Sequence, residues 1–330
     1  AGRGHNTALA VSRDGVTAAS NELLLENKDY PADVTCHVRD PKVWAQDGKY
    51  YMVLGARTRD DRGELLVYES ADKRRWQHIN TLITPEKFGY MWECPDLFEL
   101  DGQWFLVCSP QGVTRQGNQY QNVYSCGCFP LYGDFRGDYT LGGFRELDCG
   151  FDYYAPQSFE DGGRRLQFGW MGMPDADYTN PTVANGWQHS LTVPCELKRD
   201  GDRLLRVPAR EITDLRGEHI PPERAQVFDM ECRTEGAGRL VIRGAAVVEW
   251  DKGQMSLTLV QGGAGRTVRY ADVDAVRNLR VLADVSSLEI FINGGEQVMT
   301  TRYYPDPAAC GVQMEGVQAD IWAMGALQIQ

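Results

Sequence analysis

A hairpin pattern recurs three times in the first half of this sequence and most constrains its fold. The three segments are "VWAQDGKYYMVLGA", "LFELDGQWFLVCSP" and "SFEDGGRRLQFGWMG". Each reads as an apolar strand, an Asp-Gly turn and a second strand, the pattern of a tight hairpin. The turns fall at Asp47, Asp101 and Asp161, and are spaced 54 and 60 residues apart. A period of that length in an all-β chain predicts propeller blades.

Two further patterns define the expected domains. The run "ALAVSRDG" resembles the outer strands of a later repeat, so the chain is expected to begin inside a blade. After Pro208 a polar segment, "REITDLRGEHIPPE", precedes short β-rich runs that have no blade period. These runs fit a β-sandwich. We therefore expect a propeller over residues 1–208 and a sandwich over residues 209–330.

The composition indicates which binding partners are disfavoured and in which cellular compartment the protein is expected. The net charge of -12 disfavours nucleic acid and anionic membranes, which would repel such a surface. A neutral small molecule remains compatible with it. The nine cysteines fit neither a zinc pattern nor a disulfide framework, so a reducing, cytoplasmic location is expected. The chain begins without an initiator Met, so its true start is expected upstream.

Three times, at the same place in the predicted repeat, an acid precedes a Pro at the start of an inner strand. "RDPKVW" carries Arg39 and Asp40, and "WECPDLF" carries Glu93. "FDYYAPQSF" adds Asp152 and Gln157 before the third hairpin. Inner strands of a propeller converge, and carboxylates that share a pocket repel, so that one keeps its proton and can serve as an acid. The alternatives are a solvated surface glutamate at Glu93 and a simple Asp-Pro turn at Asp40.

Aromatic residues stand close to the same segments. Trp92, Tyr153 and Trp170 could offer flat apolar faces to a sugar ring. The alternative is that they form ordinary core. The five histidines are isolated, and no glycine-rich phosphate loop is present. We expect no metal and no cofactor.

The ordered set of motifs resembles glycoside hydrolase family 32, the β-fructofuranosidases. The motifs are "RDPKVW", "ECPDLF", "FDYYAPQS", "GWMG" and "LRVLADVSSLEIFINGGEQVMTTRYYP", and the resemblance runs from about residue 8 to the end. It implies a five-bladed β-propeller followed by a β-sandwich. It also implies cleavage of fructosyl bonds in sucrose, sucrose 6-phosphate or fructans with retention of configuration.

The resemblance also assigns roles to individual residues. Glu93 would be the general acid/base and Asp40 the transition-state stabiliser, with Arg39 beside it. Asp152 and Gln157 lie in a motif that lines the family's funnel. The family's nucleophile is an Asp in a Trp-Met-Asn-Asp-Pro-Asn-Gly-like motif, which is absent from this sequence. The chain is therefore expected to be an inactive fragment of an enzyme that lacks its first blade.

Two other functions stay open at this point. A fructoside-binding pseudoenzyme would explain the missing nucleophile. An inverting glycosidase that acts on pentosans would need carboxylates about 6.5 to 9.5 Å apart, and the sandwich motif argues against it. Glu289 in that motif alternates with apolar residues, so we expect it to point away from the core.

Overall fold

The strands up to Pro208 form four antiparallel sheets of two, four, five and five strands in a computed structural model, which describes residues 4–326. The strands are β1 Thr7–Ser12, β2 Ala18–Leu25, β3 Val34–Gln46, β4 Lys49–Thr58, β5 Gly63–Ser70, β6 Gln77–Leu82, β7 Met91–Leu100, β8 Gln103–Gln111, β9 Gly127–Gly133, β10 Tyr139–Leu141, β11 Arg145–Glu146, β12 Tyr154–Asp161, β13 Arg164–Met171, β14 Ser190–Leu191, β15 Cys195–Asp200 and β16 Arg203–Pro208. These sheets are propeller-like, as the hairpin period predicts.

The predicted hairpins are present, and two of the turns lie where the sequence places them. Asp47–Gly48 and Asp101–Gly102 both have positive φ at each central residue, 50° and then 75°. That conformation is the type I′ turn, which Asp-Gly favours. The third turn is centred one residue later than expected, on Gly162–Gly163, with φ of 58° and 78°. Asp161 is instead the last paired residue of its strand, opposite Arg164.

The second and third sheets pack closely through a glycine. A side chain added at Gly55 on β4 would meet the backbone carbonyl oxygen of Trp92 on β7 at 1.8 Å. Only glycine allows the two backbones to approach so closely. The core of this region consists of buried side chains from β4, β5, β7, β8 and β9, among them Tyr51, Val53, Leu65, Leu106 and Phe129. The close approach brings β3, the neighbour of β4, near β7.

The remaining strands form one nine-stranded, sandwich-like sheet. They are β17 Arg216–His219, β18 Phe228–Ile242, β19 Ala246–Asp251, β20 Gln254–Leu259, β21 Val268–Asp272, β22 Asn278–Ala283, β23 Ser287–Ile292, β24 Gln297–Arg302 and β25 Val312–Met324. The 15-residue β18 pairs with β25 on one side and with β22 and then β19 on the other. The all-β class and the order of propeller-like and sandwich-like sheets are thus confirmed.

One expectation about the sandwich is wrong. Glu289 on β23 is 3% exposed, whereas we expected it to point to solvent. Its Oε1 accepts a hydrogen bond from the backbone N–H of Val193 at 2.9 Å. From Leu288 to Ile292 every residue is buried, because both faces of β23 are covered. Alternation predicts an exposed face only when one face of a strand meets water.

The helices are short. A single turn of α-helix, α1, covers Arg210–Thr213, and 3₁₀ turns cover Asn27–Asp29, Pro181–Asn185 and Pro222–Arg224. Among the described residues, no helix is long and apolar enough to cross a membrane.

The chain forms two compact units. The first contains the residues up to Thr114 and Gly127–Arg145, and the second contains Arg115–Cys126 and the residues from Glu146 onward. The predicted site residues are divided between the two units.

Candidate functional site

Three inner strands carry the same irregularity, a bulge at a proline. The register shifts lie between Arg39 and Lys42, between Glu93 and Asp96, and between Tyr154 and Gln157. In each bulge the residue before Pro has positive φ: 62° at Asp40, 49° at Cys94 and 50° at Ala155. A non-glycine residue held in that conformation is strained, and such strain and bulges concentrate at functional sites.

The repeated bulges correct the expected equivalence of the three acids. Asp40 directly precedes its proline, Glu93 stands two positions before Pro95, and Asp152 stands four positions before Pro156. The position of Asp40 in its bulge corresponds to Cys94, whereas the position of Glu93 corresponds to Arg39. What recurs is therefore the bent backbone, and each blade places a different side chain on it.

The bulges of β3 and β7 face each other in register. Three contacts join equivalent positions: Arg39 with Glu93, Asp40 with Cys94, and Lys42 with Asp96. The first two contacts tie together the acids that the sequence proposes as catalytic, since Asp40 meets the residue next to Glu93 and Glu93 meets the residue next to Asp40. The structure thus brings Asp40 and Glu93 to one place in the first unit.

Arg39 and Gln111 both donate hydrogen bonds to Glu93. Arg39 donates from Nε and Nη2 to Glu93 Oε1, at 3.0 and 2.5 Å. Gln111, at the end of β8, donates from Nε2 to Oε2 at 2.8 Å. The side chains of Arg39 and Glu93 keep 25% and 15% of their surface exposed. The carboxyl group is therefore oriented on both oxygens and still reachable from solvent.

Asp40 is oriented by the opposite bulge. Its Oδ2 accepts a hydrogen bond from the backbone N–H of Cys94 at 2.9 Å, and the Cys94 thiol lies 3.6 Å away. Among residues 4–326 no hydrogen-bond donor is assigned to the second carboxylate oxygen of Asp40. That oxygen can accept a hydrogen bond from a hydroxyl group.

Trp92 does not offer a face to a sugar. It is 0% exposed, its ring packs against Phe129 with centroids 5.3 Å apart, and its indole N–H donates to the Phe88 carbonyl at 2.7 Å. A side chain at Gly63 would meet the indole ring at 2.4 Å. This burial corrects the expectation that Trp92 binds substrate, and the alternative that this aromatic residue forms core is the right one.

Asp152 and Tyr153 are also buried, in the second unit. Arg266 donates to both oxygens of Asp152, at 2.7 and 2.8 Å, and the backbone N–H of Arg302 adds a third bond at 2.7 Å. Tyr153 is 2% exposed and donates its hydroxyl to Gln167 at 2.8 Å. Neither side chain is accessible to a sugar, which corrects their predicted role in binding.

Gln157 and Trp170 remain accessible in the second unit. Gln157 is exposed on β12, just after the third bulge, and Trp170 is half-buried on β13. The ring of Trp170 stands edge-on to His189, with centroids 4.5 Å apart. Their role in substrate binding stays a prediction.

Sequence reasoning missed two residues that contact the proposed acid and its arginine. Gln111 reaches Glu93, and His37 Nδ1 lies 3.1 Å from Arg39 Nη1. The signal for His37 was its spacing, because residues two apart on a strand share a face. The signal for Gln111 was the hairpin register, which places Ser109 opposite Glu93 and Gln111 one step diagonal to it.

Three glutamates outside these contacts are withdrawn from solvent: Glu64 and Glu289 are buried, and Glu146 is half-buried. Burial raises the pKa of Glu64, Glu146 and Glu289 to about 7 in each case. Among the described residues, no group of three or more His, Cys, Asp or Glu side chains is placed to hold a metal ion.

Comparison with known families gives two matches in order along the chain. The profile described as "Glycosyl hydrolases family 32 N-terminal domain" matches residues 3–208, and that described as "Glycosyl hydrolases family 32 C terminal" matches residues 249–323. The first alone covers more than half of the chain.

Curated relatives include three enzymes called sucrose-6-phosphate hydrolase. The Bacillus subtilis protein is 36% identical over 91% of this chain, and the Salmonella typhimurium protein is 39% identical over 90%. The Klebsiella pneumoniae protein is 40% identical over 83%. The chain spans 67%, 67% and 62% of the lengths of these three relatives.

Two solved structures are similar to this chain over most of its length. Sucrose-6-phosphate hydrolase from Lactobacillus gasseri superposes with a TM-score of 0.82 at 25% identity, covering 90% of this chain and 68% of its own. A mutant of the Bombyx mori GH32 β-fructofuranosidase, in complex with sucrose, superposes with a TM-score of 0.81 at 27% identity, covering 96% of this chain and 72% of its own.

Proposed function

We propose that this chain, which belongs to glycosyl hydrolase family 32, forms part of a β-fructofuranosidase that cleaves sucrose or sucrose 6-phosphate. In this proposal Glu93 is the general acid/base and Asp40 stabilises the transition state through fructose hydroxyls. The observation that carries it is the in-register meeting of the two bulges, which holds Asp40 and Glu93 together. The names of the relatives support a sugar as the ligand.

The geometry suits the roles of the two acids. A general acid must reach the oxygen of the leaving group, and Glu93 is oriented on both oxygens and still partly exposed. The second carboxylate oxygen of Asp40 can accept a hydrogen bond from a sugar hydroxyl group. Such a bond to a charged acceptor is about twice as strong as one between neutral groups. Gln157 and Trp170 are proposed as further substrate contacts.

The retaining mechanism needs one more carboxylate. It requires a nucleophile roughly 5 to 5.5 Å from the acid, on the opposite side of the sugar. The family's motif for that residue is absent from this sequence. We therefore expect the isolated chain to release no fructose.

A second candidate is a fructoside-binding protein without hydrolytic activity. The missing nucleophile motif favours it, and the contacts of Asp40 and Glu93 would serve binding equally well. Activity of the protein expressed from its complete reading frame distinguishes the two.

Two further proposals concern the domain limits and the cellular location. We propose that the propeller domain covers residues 1–208 and the sandwich domain covers residues 209–330. We also propose a cytoplasmic location, supported by the free thiol state of all nine cysteines in the structure.

The test is an assay of fructose release from sucrose and from sucrose 6-phosphate. The protein from the complete reading frame is compared with this chain alone. Release by the former and none by the latter supports the enzyme. If the complete protein binds sucrose and releases no fructose, the binding protein is correct. If it does neither, the proposed function is wrong.

A further inference from the structure

His37 contacts the side of Arg39 that Glu93 does not use. The distance from Arg39 Nη1 to His37 Nδ1 is 3.1 Å, while Arg39 Nε and Nη2 point to Glu93. A guanidinium group has only donors. The Nδ1 atom of His37 must therefore accept, which leaves the ring neutral with its proton on Nε2.

Hydrogen bonds through Thr35 anchor the backbone that carries the His37 ring. The backbone N–H of His37 donates to Thr35 Oγ1 at 3.1 Å, and the Thr35 hydroxyl donates to the Arg57 carbonyl oxygen on β4 at 2.9 Å. The ring of His5 lies 5.9 Å from that of His37. The imidazole is half-buried, and its hydrogen-bond partner is Arg39.

Four charged or titratable groups act on His37. They are Arg39 on its own strand, Arg57 on β4, His5 before β1 and Glu93 on β7. Burial lowers the pKa of His37 below its ordinary value, Arg39, Arg57 and His5 lower it further, and Glu93 acts in the opposite direction. The surroundings thus favour the same neutral form that the contact with Arg39 requires.

We propose that His37 is a positioning residue, whose neutral imidazole holds Arg39 in the orientation that clasps Glu93. The inference rests on the proposed role of Glu93 in catalysis. It adds His37 to the pair formed by Arg39 and Glu93, and it makes the contact between those two residues depend on pH.

Protonation of His37 would break its contact with Arg39. When His37 takes up a proton, its Nδ1 becomes a donor and its ring becomes a cation beside the Arg39 guanidinium. The contact is then repulsive, and Arg39 turns away from Glu93. This release occurs on the acid side of about 6.5, the ordinary pKa of histidine. In the active enzyme, kcat/KM would fall with it as the pH falls.

Two variants separate positioning from packing. In His37→Asn the amide oxygen stands close to the place of Nδ1, so it can accept from Arg39 and cannot titrate. His37→Ala removes the acceptor. His78→Asn is the matched control, because His78 is an exposed histidine of the same unit that contacts Thr81 at 3.0 Å.

The test is nitrogen NMR on this chain without substrate. The imidazole signals should show His37 with its proton on Nε2 at pH 7, and a proton on Nδ1 would overturn the proposal. The Arg39 Nε–H signal should change with pH along with the titration of His37. In His37→Asn that signal should not depend on pH.

In His37→Ala, at pH 7 and above, the Nε–H of Arg39 should exchange with water roughly tenfold faster than in the wild type, because without the His37 acceptor the hydrogen bond from Nε to Glu93 is weakened by about one net hydrogen bond. On the acid side of about 6.5 the wild type should approach the rate of His37→Ala. His78→Asn should match the wild type. An unchanged Arg39 signal in His37→Ala, or equal behaviour of His37→Asn and His37→Ala, would overturn the proposal. These readouts need no turnover, so a failure of the proposed function in the fructose assay is a separate result.

Discussion

The guanidinium group of Arg39 donates two hydrogen bonds to a single oxygen of Glu93, from Nε at 3.0 Å and from Nη2 at 2.5 Å. The two residues occupy the same step of equivalent bulges on neighbouring blades. This contact, with that between Asp40 and Cys94, gathers the proposed catalytic acids of the first unit.

Glu93→Gln removes the proton that the proposed acid donates, while glutamine keeps the shape of the side chain. In the protein expressed from the complete reading frame, we expect kcat for sucrose to fall roughly 10²–10⁴-fold, the usual contribution of a general acid. Steady-state release of fructose measures it. Glu99→Gln, at an exposed position of the same strand, is the control and should be silent. Near-normal turnover in Glu93→Gln would reject the assignment.

Asp152→Asn leaves Arg266 buried without its counter-charge. Breaking a buried ion pair costs about 3–5 kcal/mol, so the free energy of unfolding should fall by that amount. Urea unfolding measures the loss, and Asp161→Asn, at the exposed end of β12, is the control. A variant that unfolds like the wild type but has lost sucrose binding would restore Asp152 as a substrate residue.

Glu289→Gln tests the buried carboxyl of the sandwich. Burial raises the pKa of Glu289 from 4.5 to about 7 in the folded chain. The unfolded chain therefore loses this proton first, and the contribution of Glu289 to stability is lost as the pH rises from about 4.5 through about 7. The loss amounts to about 3 kcal/mol, at 1.36 kcal/mol for each pKa unit.

The glutamine variant cannot ionise at this position. Its free energy of unfolding, relative to that of the wild type, should therefore rise between pH 4.5 and about 7 and then level off. Unfolding by urea at pH 5 and at pH 8 measures it, with Glu235→Gln, at an exposed position, as the control. An equal advantage at both pH values would contradict the raised pKa.

Local sequence patterns were sufficient to predict the hairpins and to select Asp40 and Glu93 as candidate site residues. An Asp-Gly pair between alternating strands specifies a turn by itself, and Pro after an acid marks the place where the strand bends. The third turn moved by one residue, because "EDGG" offers a Gly-Gly pair that adopts positive φ at lower cost than Asp-Gly.

Contacts between distant segments were not predictable. The partner of Asp152 is Arg266, 114 positions away, and no local signal distinguishes a paired buried acid from a substrate ligand. Trp92 is buried because Gly55 and Gly63 on other strands let it approach. Glu289 is buried because a second layer covers the face that its strand would otherwise expose.

The most direct test of the account is the affinity for sucrose of four proteins made from the complete reading frame: wild type, Asp40→Asn, Glu93→Gln and the double variant. If the two acids share one sugar site, Asp40→Asn should weaken binding roughly 10- to 100-fold, the value of a hydrogen bond to a charged group. The double variant should then depart from the sum of the single effects by about 0.5 kcal/mol or more, as expected for residues that act together. Unchanged affinity in both single variants would contradict the account.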